Sequence, residues 1–133
     1  MRLVTGDNHL ISARDGVVIC QIWVREDLSA EQGAQNAKQL VDYLTGTALK
    51  QNPPYRGLIL DVRRGPPDFG PKTRDALLGL LDAARAAGVP AAILAGPAAM
   101  QIERFSRLCD GRADVKVLES EPAAVRWFAG SDR

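Results

Sequence analysis

Residues 58–74 read Leu58-Ile59-Leu60-Asp61-Val62-Arg63-Arg64-Gly65-Pro66-Pro67-Asp68-Phe69-Gly70-Pro71-Lys72-Thr73-Arg74. The opening apolar run is short and nearly continuous, the pattern of a parallel strand buried on both faces. A Gly/Pro loop with positive charge follows, and then a helix start. Pro71 falls near the first helical position, where its missing N–H is no loss. Asp75 falls in the first turn, where a carboxylate complements the helix dipole. A buried strand that hands over through a tight loop to a helix is the repeating joint of an α/β sheet, and ligands and partners usually meet such domains there.

The rest of the chain repeats that joint. Before it, His9 to Ala13 and Val17 to Val24 are predicted as the arms of a β-hairpin, with Arg14-Asp15-Gly16 supplying Asp-Gly turn chemistry. In the second arm Val18, Cys20, Ile22 and Val24 alternate with Val17, Ile19 and Trp23, so this strand is expected to be central and covered on both sides. The more polar first arm suits an edge or a half-exposed position. Ser29 and Gln32 form a capping-box pattern ahead of an amphipathic helix carrying Ala34, Ala37, Leu40, Val41, Leu44 and Ala48, which ends at Asn52-Pro53-Pro54.

After the Gly/Pro loop, Leu77, Leu80, Leu81 and Ala84 mark the inner face of a second helix that stops at Gly88. Ala91 to Ala95 is again a short apolar strand. The next helix points Ile102, Phe105 and Cys109 inward, Val115 to Leu118 is a last strand, and Ser120 caps a closing helix with Trp127 and Phe128. Strands alternating with helices imply parallel crossovers. The expected fold class is α/β: one domain over residues 1–133, core about 8–129, with a mixed, mostly parallel sheet of about five strands, an N-terminal β-hairpin and four helices.

Composition narrows the function classes. The chain has 133 residues, a formal net charge of +1, 46% hydrophobic and 25% charged residues. Such a chain builds a core without staples. Its charge balance gives no electrostatic argument for nucleic acid, which wants a strongly basic face. Arg56, Arg63, Arg64, Lys72 and Arg74 do gather, but Asp61, Asp68 and Asp75 lie among them. Cys20 and Cys109 read as reduced, buried thiols of a cytoplasmic protein rather than a disulfide framework. The N-terminus lacks the apolar run of a signal peptide, and no segment approaches roughly 18 uninterrupted apolar residues.

Residues 65–73 come close to the phosphate cradle G-x-x-x-x-G-K-[ST], with Pro71 inserted before Lys72. The physics runs against that function. A cradle grips phosphates with successive backbone N–H groups, and Pro66, Pro67 and Pro71 have none. A rigid turn explains the same residues, and a helix N-terminus with basic neighbours still suits an anion. The candidate partner- or anion-binding residues are Arg63, Arg64, Gly65, Asp68, Phe69, Gly70, Lys72, Thr73 and Arg74.

No catalytic set emerges elsewhere. His9 is the single histidine, so any nucleophile–histidine pair must use it, and it reads as a plain strand residue. His9, Cys20 and Cys109 have no metal-ligand spacing. Asp61, at the end of a buried strand, is either an acid or base of perturbed pKa or the pin of the following loop. Trp23, Trp127 and Phe128 sit at core-like positions rather than on a stacking platform. Met100-Gln101 reads as a gap-filler or an exposed contact. Neither an enzyme, nor a cofactor, nor a metal site is expected.

The order of elements resembles the STAS fold, named for sulphate transporters and anti-sigma-factor antagonists, in its SpoIIAA-like branch. The stretches that carry the likeness are Leu58-Ile59-Leu60-Asp61-Val62, Ala91-Ala92-Ile93-Leu94-Ala95-Gly96, and Glu121-Pro122-Ala123-Ala124-Val125-Arg126-Trp127-Phe128. The resemblance implies a non-catalytic bacterial signalling module that binds a protein partner, commonly an anti-sigma factor or a serine/threonine kinase. Many members are switched by phosphorylation of a serine in a D-S-S-G motif at the helix after this strand. Here Phe69-Gly70-Pro71-Lys72-Thr73 occupies that place without a serine, and Thr73 is the nearby hydroxyl. A homodimer through an edge strand or helix face, and a sensor of a small anionic ligand, nucleotide or lipid headgroup at the same loop, are the companion expectations.

Overall fold

A computed structural model describes residues 1–65, 71–96 and 99–130, with the backbone alone for 99–102. Six strands form one sheet: β1 (Arg2–Thr5), β2 (His9–Arg14), β3 (Val17–Trp23), β4 (Gly57–Arg64), β5 (Ala91–Leu94) and β6 (Val115–Leu118). Four α-helices accompany them: α1 (Ala30–Gly46), α2 (Pro71–Ala86), α3 (Ala99–Leu108) and α4 (Glu121–Phe128). A 3-10 turn, Ala48–Lys50, follows α1.

The strands lie in chain order across the sheet. β1, β2 and β3 pair antiparallel, while β3 through β6 pair parallel. Crossovers of one hand between successive parallel neighbours must place their helices on the same face. Accordingly Leu40 and Leu44 of α1, Leu80 and Leu81 of α2, and Phe105 of α3 share a buried cluster with Val18, Cys20, Leu58, Leu60 and Ile93. The helix α4 packs on the opposite face of the sheet. Ala124, Trp127 and Phe128 pack there on Val17, Ile19, Ile59, Ala92 and Leu94. The alternation expected along β3 is therefore real, and the strand is covered on both sides. The expected Val24 is the exception: it lies past the end of β3 and is exposed.

The strand count is six rather than about five. The run Arg-Leu-Val-Thr at the N-terminus adds β1, so the sheet begins ahead of residue 8. β1 takes the edge, which corrects the expected place of the first hairpin arm. His9 and Ile11 of β2 are buried. The hairpin turn has Asp15 at φ 54° and Gly16 at φ 80°, the left-handed pair that suits the twist of two-residue hairpins. At the other end of the sheet Gly57 makes room for α4, since a Cβ there would lie 2.4 Å from the Phe128 ring. The capping box is present: Ser29 Oγ accepts the Gln32 N–H at 3.1 Å, and Gln32 Oε1 accepts the Ser29 N–H at 2.8 Å. α1 ends at Gly46, before Ala48. Pro71 is the first residue of α2, as its lack of a donor favours.

Candidate functional site

The β4–α2 joint lies where the parallel strands end, and the structure divides its residues between the two faces of the sheet. β4 carries one irregularity. Gln21 pairs with Asp61 but Trp23 pairs with Arg64, so Val62 and Arg63 together oppose Ile22. Such a bulge bends the strand and re-aims its last side chains.

Arg63 turns back onto Asp61. Its Nε donates to Asp61 Oδ1 at 2.9 Å and its Nη2 to Oδ2 at 2.8 Å, a two-pronged clamp. The backbone N–H of Arg63 also reaches Oδ1 at 3.2 Å. A further guanidinium N–H lies 3.5 Å from the Glu119 carbonyl after β6. Burial by itself would push the Asp61 carboxyl up. The Arg63 guanidinium and N–H outweigh it, helped by the Gln21 side chain, and hold the group below the usual carboxylate range. Asp61 is thus bonded to Arg63 within the same strand end, while most of the loop it was expected to pin lies outside the described residues.

Arg64 is exposed, and its carbonyl accepts the Val24 N–H at 3.1 Å. The Gly65 N–H closes a turn onto the Val62 carbonyl at 2.9 Å. Lys72 and Arg74 are exposed on the first turn of α2, with Thr73 half-buried between them. Asp68, Phe69 and Gly70, together with Pro66 and Pro67, lie outside the described residues.

On the helix-covered face, next to Lys72 and Thr73, a cavity of about 890 Å³ opens between the N-terminal halves of α1 and α2 and the ends of β2 and β3. Its apolar walls include Ile22, Trp23, Leu28, Leu40 and Leu77. Two buried polar side chains also line it, His9 and Asn36. The joint therefore brings Lys72 and Thr73 to the cavity, while Arg63 and Arg64 are not among the described residues that line it. Reasoning from the sequence passed over Asn36. Its signal was there: it stands one turn before Leu40 and two before Leu44, a polar residue on an apolar stripe.

The other reactive groups, His9, Cys20 and Cys109, are buried. Burial pushes the Cys20 thiol up, with Asp61 adding to the rise, and pushes Cys109 up to about 11 against a smaller downward pull from Arg112. Burial lowers the pKa of His9, opposed in part by Asp7. Among the described residues no group of three or more His, Cys, Asp or Glu could hold a metal ion, and no helix is long and apolar enough to cross a membrane. The side chains of Met100, Gln101 and Ile102 fall outside the description.

No protein-family model and no curated protein sequence matches the chain. Among solved structures it is similar to the NMR structure of the protein TM1081, at 18% identity and a TM-score of 0.64, over 90% of this chain and 86% of that one. At that identity the likeness shows the fold alone: an α/β domain with a six-stranded mixed sheet and four helices.

Proposed function

We propose that this chain is a non-catalytic, STAS-like binding module that docks a protein partner on the surface around the β4–α2 joint. The observation that carries the reading is the exposure of Arg64, Lys72 and Arg74 on a rigid platform, a buried strand end and the first turn of a packed helix. Exposed basic groups at fixed positions steer an acidic partner and set its register. Arg63, clamped to Asp61, acts through the shape it gives the joint. Asp68, Phe69 and Gly70, expected from the sequence to take part, lie outside the described residues.

The non-catalytic part of the reading is supported by the state of the reactive groups. Asp61 is held ionised by a guanidinium, and both thiols are buried with raised pKa values. The resemblance to SpoIIAA-like domains favours an anti-sigma factor or a protein kinase as the partner. A phosphate on Thr73 would sit in the first turn of α2 between Lys72 and Arg74, where helix dipole and charge both favour it. The second reading, a sensor of a small anionic ligand, nucleotide or lipid headgroup at the same loop, draws on the exposed Lys72 at the start of α2, beside the cavity.

The test is affinity purification from the native cell with the wild type and an Arg64→Glu/Lys72→Glu double variant as bait. The captured protein is then purified and titrated. Charge reversal at two docking positions is expected to weaken binding on the order of tenfold or more, with unchanged circular dichroism. Equal affinity for both baits would discard the proposed surface.

A further inference from the structure

The first half of α1 is built from small residues where it borders the cavity. Ala30, Gly33, Ala34 and Ala37 all line it, while the later turns carry the buried Leu40 and Leu44. A Cβ added at Gly33 would meet nothing within 4 Å. Glycine inside a helix costs stability against alanine, and no close contact requires it at this position. The side chains chosen here leave open about 890 Å³, walled by Ile22, Trp23, Leu28, Leu40 and Leu77. Val24, 48% exposed, carries the apolar lining out to solvent. Such a volume, with apolar walls and few polar groups, has the size and character of a small-molecule site.

The charge around it is lopsided. Among the described residues that line the cavity, the charged ones are Arg25, Glu31 and Lys72. Arg25 is already held by Asp27, its Nε donating to Oδ1 at 2.9 Å. Glu31 is exposed in the first turn of α1, where it complements the dipole of its own helix. Lys72 is exposed and forms no ion pair with a described residue. The first turn of α2 has no acidic residue, and Lys72 and Arg74 there set cations at the positive end of a helix. An anion beside Lys72 relieves that mismatch, whereas a cationic ligand would add to it.

We propose that this cavity binds a small amphipathic monoanion, its apolar chain among Trp23, Leu28 and Leu77 and its anionic group at the mouth beside Lys72. The head stays at the mouth because a charge among the apolar walls would lose its hydration without a partner. The inference rests on the small-anion reading of the joint and adds to it the body of the ligand and the place where that body lies.

The experiment titrates the full, isotope-labelled chain with octanoate, with 1-octanol, which keeps the chain and lacks the charge, and with acetate, which keeps the charge and lacks the chain. Affinity is read by calorimetry and the site by NMR of the indole N–H groups, since Trp23 lines the cavity and Trp127 is buried on the opposite face of the sheet. Octanoate should bind saturably, shift Trp23 and not Trp127, and bind about fivefold or more tightly than 1-octanol. Lys72→Gln should erase that preference. Gly33→Phe and Ala34→Trp, which fill the cavity, should abolish octanoate binding with unchanged circular dichroism. Equal affinity for octanoate and 1-octanol overturns the proposal, as does octanoate binding that survives in both filled variants. Acetate binding as tightly as octanoate overturns it too, but leaves the small-anion reading standing. Binding of neither anion removes both.

Discussion

Replacing Asp61 with asparagine separates the pin from a catalytic acid. The side chain of Asp61 is 10% exposed and that of Arg63 is 39% exposed, so the pair lies between the surface and buried limits. Exposed pairs contribute about 0–1 kcal/mol, and stripping one partner from a fully buried pair costs about 3–5 kcal/mol. In Asp61→Asn the guanidinium can turn to water, so no charge is trapped. The amide keeps one acceptor for the Arg63 N–H, which lies 3.2 Å from Oδ1, and loses the two-pronged clamp. The expected loss is about 1–2 kcal/mol at pH 7.

The sign of the pH dependence is fixed by the depressed folded-state pKa of Asp61. A carboxyl that is harder to protonate when folded stabilises the protein above its unfolded value, about 3.9. That contribution fades as the pH falls through the lower folded value. Urea unfolding of wild type and variant at pH 7 and pH 3 reads both effects. The gap should be present at pH 7 and narrow at pH 3. If burial outweighed Arg63, the asparagine variant would be the more stable one at pH 7, and that result, or a gap unchanged at pH 3, refutes the reasoning.

Other substitutions probe the remaining parts of the fold. Gly57→Ala should cost about 1–3 kcal/mol and red-shift Trp127 fluorescence, because the new Cβ would meet the Phe128 ring at 2.4 Å. Gly79→Ala, in mid-α2 with nothing within 4 Å, should instead stabilise by about 0.5–1 kcal/mol. His9 resists protonation when folded, so stability should decline as the pH drops below the unfolded value near 6.5. A His9→Gln variant should lose part of that decline in urea titrations at pH 7.5 and 5. Cys20 and Cys109, buried with raised pKa values, should resist alkylation at pH 8 until denaturant is added.

Much of this architecture is legible in the chain because local and tertiary preferences agree. The apolar runs 58–62 and 91–95 can only be central strands, and the Ser29–Gln32 pattern both starts α1 and closes as a capping box. β1 escaped for the opposite reason. It is four residues long and pairs with β2 through an irregular register, although Gly6-Asp7-Asn8 does mark a turn after it. The candidate site was half-visible. Basic residues cluster in sequence from Arg63 to Arg74, but strand alternation and the bulge send Arg63 to Asp61 and leave Lys72 by the cavity. The cavity itself depends on how α1 packs beside α2, a long-range contact that no window of sequence displays.

The central claim is that the partner sits over the start of α2, and site-specific photocrosslinking in the native cell tests it most directly. A photoreactive residue placed at Asp75, exposed beside that first turn, is compared with one at Val125, 39% exposed on α4 beneath the sheet. The account predicts a covalent adduct with one protein from position 75 and none from position 125. An adduct formed from position 125 alone would contradict it.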